Sequence, residues 1–193
     1  MTGIEDFVSL TTLECYRNTI TSIDLSNNVL LTNLIISEND LTELDLSNNL
    51  LLTHLEAHDN FLDSLDLSNH SSLVYLRLWN NPPLSFLDLR NGATSPMDLY
   101  ATNNPNLYCI DVDNPFISNL MWTSSNGSID PWTNFSNNCS LELGCTDSLA
   151  CNYDPTATIN DGSCIIGNCV ENITQNTFTI DIQSSIDNSN NGD

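Results

Sequence analysis

The chain has 193 residues, 40% of them hydrophobic, enough for one solenoid or one to two small domains with a real core, which rules out a disordered tail. Asp and Glu total 25 against 3 Arg and no Lys, giving a formal net charge of -22. That balance repels phosphate backbones and anionic membranes, so nucleic acid is excluded as a partner.

The opening stretch MTGIEDFVSLTTLECYRN has neither the charged-then-apolar pattern of a secretory leader nor an apolar run able to span a bilayer. A leader has then been removed, or the chain is a fragment; membrane insertion is not expected. Ile4 and Phe7 offer a makeshift cap for the first coil of the repeat.

From residue 10 onward one phrase recurs: IDLSNN at 23, LDLSNN at 44, LDLSNH at 65, LDLRNG at 87 and IDVDNP at 110. Its first residues, Ile23, Leu44, Leu65, Leu87 and Ile110, are 21, 21, 22 and 23 residues apart, and Leu13, Leu34, Leu55, Leu76 and Leu99 lie halfway between them. The unit is therefore one coil made of two half-coils, A (anchored on Leu13 and its equivalents) and B (anchored on Ile23 and its equivalents). In both halves positions -3, 0 and +2 hold core-type residues in every coil, Pro96 excepted. Anchor and +2 point inward on a short strand while +1 and +3 point outward, so successive coils stack at about 4.8 Å into two parallel β-faces around a leucine core. Asn18, Asn39, Asn60, Asn81 and Asn104 at A+5, and Asn27, Asn48, Asn69, Asn91 and Asn114 at B+4, are expected to be buried at the turns and to bond backbone groups there.

The two faces differ. B strands show Asp24, Asp45, Asp66, Asp88 and Asp111 at +1, a monotonous row read as a solvated surface that keeps the sheet soluble. A strands show no two alike, and Tyr16, Glu56, His58, Arg77, Trp79 and Tyr100 have the composition of a recognition surface. HLEAH at 54–58 is not a zinc motif, because on an extended rung its outward side chains stand roughly 7 Å apart at each step. No metal, cofactor or catalytic set is expected, since nucleophile elbow, phosphate loop and Cys/His pair are all missing.

LTNLIISENDLTELDLSNN resembles the leucine-rich-repeat pattern LxxLxLxxNxL, and its doubled form resembles the nested short repeats of the IRREKO type in secreted bacterial proteins. The resemblance implies the α/β-type repeat class, in practice mostly β: a right-handed leucine-rich-repeat solenoid of about five coils over residues 1–116. It also implies a protein outside the cell or on its surface; with the varied A face, the chain is expected to be a monomer that binds a protein or glycan there.

After Asn114 the period dissolves. Residues 117–143 read as a C-terminal cap in which Met121, Trp122, Trp132 and Phe135, with Phe116 just before them, cover the open core. The segment resembles the one that follows such repeats in related secreted proteins, which implies a disulfide from Cys109 to Cys139. GCTDSLACNYDPTATINDGSC, within a unit spanning 144–170, resembles the GCTDxxAxNYxPxATxxDGSC module of large bacterial extracellular proteins. Too short to own a core, it needs staples, and Cys145, Cys151, Cys164 and Cys169 form two pairs of open connectivity, with Cys15 left as a buried free thiol. Asp147, Asn152, Asp154 and Asp161 raise calcium as an alternative, although their spacing is not that of an EF-hand. Residues 171–193 are a polar tail in which TFTIDI reads as a strand of a following, lost domain; a structural spacer is the remaining alternative for the whole chain.

Overall fold

A computed structural model describes residues 3–93, 97–139, 143–154, 157, 159–160 and 162–166; Pro96, Asp161, Cys169 and the TFTIDI tail lie outside the described residues. Two units result, Met1–Cys139 and Ser140–Asp193, each treated by itself. In the first, a 3-10 turn at Ile4–Asp6 is followed by β1 (Thr12–Glu14), β2 (Asn33–Ile35), β3 (His54–Glu56), β4 (Ser64–Asp66) and β5 (Tyr75–Arg77). Then come β6 (Phe86–Leu89), β7 (Asp98–Tyr100), β8 (Cys109–Val112), α1 (Pro115–Met121) and β9 (Asn134–Ser136).

The A halves build one parallel sheet, β1-β2-β3-β5-β7, in which Leu13, Leu34, Leu55, Leu76 and Leu99 are register partners. The expected inward positions of coils 2 to 5 are buried wherever they are described, whereas Leu10, Cys15, Ile20 and Ile23 of coil 1 are only half-buried. Among the described residues a further coil stacks on one side of coil 1 only, and Cys15 is free as expected yet not fully enclosed; burial still pushes its thiol pKa up. The fold is a mostly-β solenoid around a leucine core.

The B face departs from expectation. Its sheet is β4-β6-β8-β9, so the first two B halves form no strand and the cap contributes one. In four coils the +1 aspartate turns back and accepts the +3 backbone N–H: Asp24 from Ser26, Asp45 from Ser47, Asp66 from Ser68 and Asp88 from Arg90, each at 2.9 Å. These Asx turns draw the +3 amide away from the neighbouring coil, which limits pairing on this face.

The turn asparagines split in two. At A+5 the expectation holds from coil 2 onward, while Asn18 of coil 1, with no coil before it among the described residues, is exposed. Asn39 Nδ2 donates to carbonyls of its own coil and to Cys15 O in the coil before, while its Oδ1 accepts from Ile20 N. Asn60 and Asn81 repeat the pattern, and Asn104 carries it to the last repeat. On the B side the buried column is one residue later than expected in coils 1 to 3. Asn27, Asn48 and Asn69 are exposed, whereas Asn28, Asn49 and His70 are buried; in coil 4 Asn91, at its expected place, is half-buried and donates to His70 O. The cause is a β-turn in which the fourth residue N–H returns to the first carbonyl, Asn28 to Leu25, Asn49 to Leu46 and His70 to Leu67. The two central residues then face solvent and the fourth turns inward. Asn49 Nδ2 donates to Leu25 O and Asn28 O; His70 Nε2 donates to Leu46 O. Asn114, also expected to be buried, is exposed and caps α1 by accepting from Ile117 N.

The cap proves to be a degenerate sixth coil. Ala101 N donates to Ser128 O as if to a further A strand, and β9 pairs with β8 so that Phe135 stands opposite Ile110. Buried Asp130 takes the asparagine's place, accepting from Asn103 N and Asn104 N at 3.0 and 2.9 Å. Helix α1 is the insertion that hides this repeat in the sequence. Trp122 and Phe135 do cover the core, with ring centroids 5.7 Å apart and Trp122 Nε1 donating to Met97 O. Phe116 and Trp132 do not cover it, being 75% and 45% exposed; Phe116 sits on the solvent side of α1, whose buried residue is Ser118. Cys109 and Cys139 are bonded, their Cα atoms 5.7 Å apart. Loop closure of this length stabilises by about 3 kcal/mol.

Asn49→Ala should lower unfolding free energy by about 1–3 kcal/mol and Asn48→Ala by under about 0.5, measured by chemical denaturation. Equal effects would contradict the shifted column. Burial lowers the His70 pKa below its ordinary 6.5, so the unfolded chain takes up the proton first. The His70 contribution is therefore complete above about pH 6.5 and falls as pH drops below it. His70→Asn, the residue at this place in coils 1 and 2, should flatten that part of the stability-pH curve relative to the unsubstituted chain.

Candidate recognition face on the A sheet

Outward side chains of the A sheet form a grid. Along the sheet, position -1 reads Thr12, Asn33, His54, Tyr75, Asp98, and position +1 reads Glu14, Ile35, Glu56, Arg77, Tyr100, as the strand register requires. Position +3 continues with Tyr16, Ser37, His58, Trp79 and Thr102. Five of the six residues singled out from the sequence, Glu56, His58, Arg77, Trp79 and Tyr100, come together on coils 3 to 5. Tyr16 stands apart on coil 1, exposed, with Ser37 between it and His58 in its row. Two coil spacings make that separation about 10 Å.

Arg77 organises the cluster. Its guanidinium carbon lies 3.8 Å from the Tyr75 ring centroid and 4.1 Å from that of Tyr100, an arrangement in which a cation meets two π-faces. Nη1 donates to Asp98 O at 2.9 Å and Nη2 to Asp98 Oδ2 at 2.7 Å, leaving the residue 9% exposed. Arg77 thus holds two tyrosines in place and offers little of itself to solvent. The His54 ring stacks on the other residue of this row, Tyr75, at 5.4 Å.

A second stack lies beside the first. His58 and Trp79 are 3.8 Å apart between ring centroids and 16° from parallel. His58 Nδ1 donates to Asp59 Oδ2 at 2.8 Å, and its Nε2 is 3.7 Å from Glu56 Oε2. Burial would raise the Asp59 pKa, but hydrogen bonds from Asn80 and His58 outweigh it and hold the carboxyl below its ordinary value. HLEAH is therefore divided between two ring stacks.

Position A+4 adds a constraint. Arg17, Glu38, Asp59, Asn80 and Asn103 all have positive φ, between 53° and 59°, although none is glycine. Left-handed backbone costs an ordinary residue about 1–2 kcal/mol. What holds it there is the continuing ladder: N–H groups of Arg17, Glu38, Asp59 and Asn80 donate to Ser37, His58, Trp79 and Thr102 O, at 2.9 to 3.1 Å. The same turn aims the Asn at A+5 inward and sets the rim of the face, where Arg17 Nε pairs with Glu38 at 3.0 Å.

Tyr75 and Asp98 escaped the sequence reading, while His54, read as outward within HLEAH, and Asp59 were not counted among the recognition residues. The signal was available for two of the rings, because the alternation that turns +1 and +3 outward turns -1 outward as well. The same alternation turns Asp98 outward, but its pairing with Arg77, like that of Asp59 with Asn80, joins residues 21 apart and is no property of one strand.

The B face is not simply wet. Asp88 and Asp111 are buried, and Arg90 covers them, paired with Asp88 Oδ2 and reaching across to Asn137 O at 3.2 Å. Asp111 Oδ1 accepts from Cys139 N at 2.7 Å. Those carboxylates fasten the cap to the solenoid.

In the second unit β10 (Leu143–Gly144) pairs in parallel with β11 (Ile159–Asn160), and Cys145 is bonded to Cys164. Cys151 is also disulfide-bonded. A Cβ on Gly144 would approach Ala157 Cβ to 3.0 Å and Asp154 Oδ2 to 3.2 Å, tight enough that a side chain there would push its neighbours aside. Among the candidate calcium oxygens, Asp147 Oδ1 accepts from Leu149 N and Asn152 bridges Ser163 O and Ile165 N. These groups hold the loop.

No protein-family model matches the chain, and no curated protein does. A solved structure to which it is similar is the functional domain of InlJ from Listeria monocytogenes, described as including a cysteine ladder. Identity is 28%, the match covers 58% of this chain and 28% of that one, and the TM-score is 0.38. The match therefore takes in well under half of that chain's length.

Glu38→Val and Glu38→Asn both remove the Arg17 ion pair but differ in tolerance of positive φ. The valine variant should be less stable than the asparagine variant by about 1–2 kcal/mol in chemical denaturation.

Proposed function

We propose that the solenoid is a non-catalytic binding or adhesion module of a secreted or cell-surface bacterial protein, engaging a protein or glycan through the A face. The observation that carries this reading is the contrast between two sheets on one scaffold. On the B side the outward aspartates have structural duties in every coil, which is reason enough for them to repeat. On the A side the inward residues repeat while the outward ones assemble two adjoining aromatic stacks that the core does not need.

Rigid rings backed by an arginine clamp resemble the residue types that dominate protein interfaces. Cys109–Cys139 and Cys145–Cys164 support an oxidising compartment outside the cell.

Trp79→Ala combined with Tyr100→Ala should abolish binding to host cells, matrix proteins or glycan arrays while circular dichroism and thermal unfolding remain close to those of the unsubstituted chain. Full binding by the folded double variant would overturn the assignment of the face.

A further inference from the structure

Charge and the state of the rings together limit what can dock on the A face. Fixed by composition, the chain has 25 carboxylate side chains and 3 guanidiniums. Every one of the three is ion-paired within the chain: Arg17 with Glu38, Arg77 with Asp98 and Arg90 with Asp88. A polyanionic partner, such as a sulfated glycan, would meet uncompensated repulsion.

A neutral glycan fits less well for a different reason. Sugars are held by stacking on open ring faces, and part of this ring surface is already taken: one face of Trp79 by His58, one face of Tyr100 by Arg77, while Tyr75 has both Arg77 and His54 as ring neighbours; a neutral sugar would also leave the carboxylates uncompensated. Beside the rings the face carries the carboxylates of Glu14, Glu56 and Asp98, of which Glu14 and Asp98 are exposed.

Resting on the reading of the A face as a binding surface, we infer that its occupant is a cationic protein segment rich in lysine and arginine. Ammonium and guanidinium groups complement both the carboxylates and the ring faces left open, and Arg77 over two tyrosine rings is an internal instance of the second contact. The field of a strongly anionic solenoid would also speed such a segment's approach, more so at low salt.

A polyanion binds any polycation weakly, so the test must separate place from charge. Deca-lysine and deca-arginine peptides are the cationic probes and cellohexaose the neutral one, titrated calorimetrically against the full chain. Glu14→Gln with Glu56→Gln removes two carboxylates from the A face; Asp24→Asn with Asp45→Asn removes two from the B side, where asparagine still accepts the turn hydrogen bond. The A pair should weaken peptide binding about five- to tenfold and the B pair less than about twofold, with affinity falling as salt rises. Equal weakening by both pairs would show general charge attraction and overturn the inference. Binding of cellohexaose without the peptides, or binding of no probe, would overturn the cationic occupant yet leave the face as a binding surface, which the Trp79 and Tyr100 double variant tests separately.

Discussion

Backbone polar groups that leave a parallel sheet at a turn have no ladder partner, and in a solenoid the turns face the core. A buried amide or carbonyl left unpaired costs as much as a typical side-chain deletion, so each coil must bring its own partners inward. Asparagine is suited to this because one side chain both donates and accepts. The A+5 column does both at every internal coil, reaching into the coil before it each time. It stops only where Asp130 supplies two acceptors for the amides of Asn103 and Asn104. The B column begins on the other flank, where Asn28 Nδ2 donates to the carbonyls of Ile4 and Phe7.

That requirement reaches the surface. An asparagine can turn inward at A+5 only if the residue before it reverses the chain, and five consecutive coils accept left-handed backbone at A+4 to achieve it. The reversal brings Asp59 beside His58 and places Asn80 next to Asp59, so the rim of the A face follows from how the core satisfies its turns. On the B side the same logic uses aspartate, and the chain repeats there because the backbone depends on the side chain. The A face varies because its outward residues have no such duty.

Much of the architecture was legible in a single sequence. Leucines at fixed steps gave the coil, its two half-units and the inward set; the resemblance of the segment after the repeats to that of related secreted proteins is what implied Cys109 with Cys139. Reading failed where one side chain's role depends on turn type. Asn48 and Asn49 are adjacent and identical in chemistry, and only the i to i+3 turn decides which is buried. It failed again at the cap, since α1 separates Asp130 and Phe135 from the register they restore.

The candidate site divides along the same line. Periodicity alone determined that Glu56, His58, Trp79 and Tyr100 lie on one outward face, because alternation along a strand is a local property of the chain. That Arg77 is sandwiched between Tyr75 and Tyr100, and that His58 lies against Trp79, was decided by tertiary structure. Stacked coils put residues about a full period apart into contact, and side-chain rotamers chosen against those neighbours leave no mark on either segment by itself.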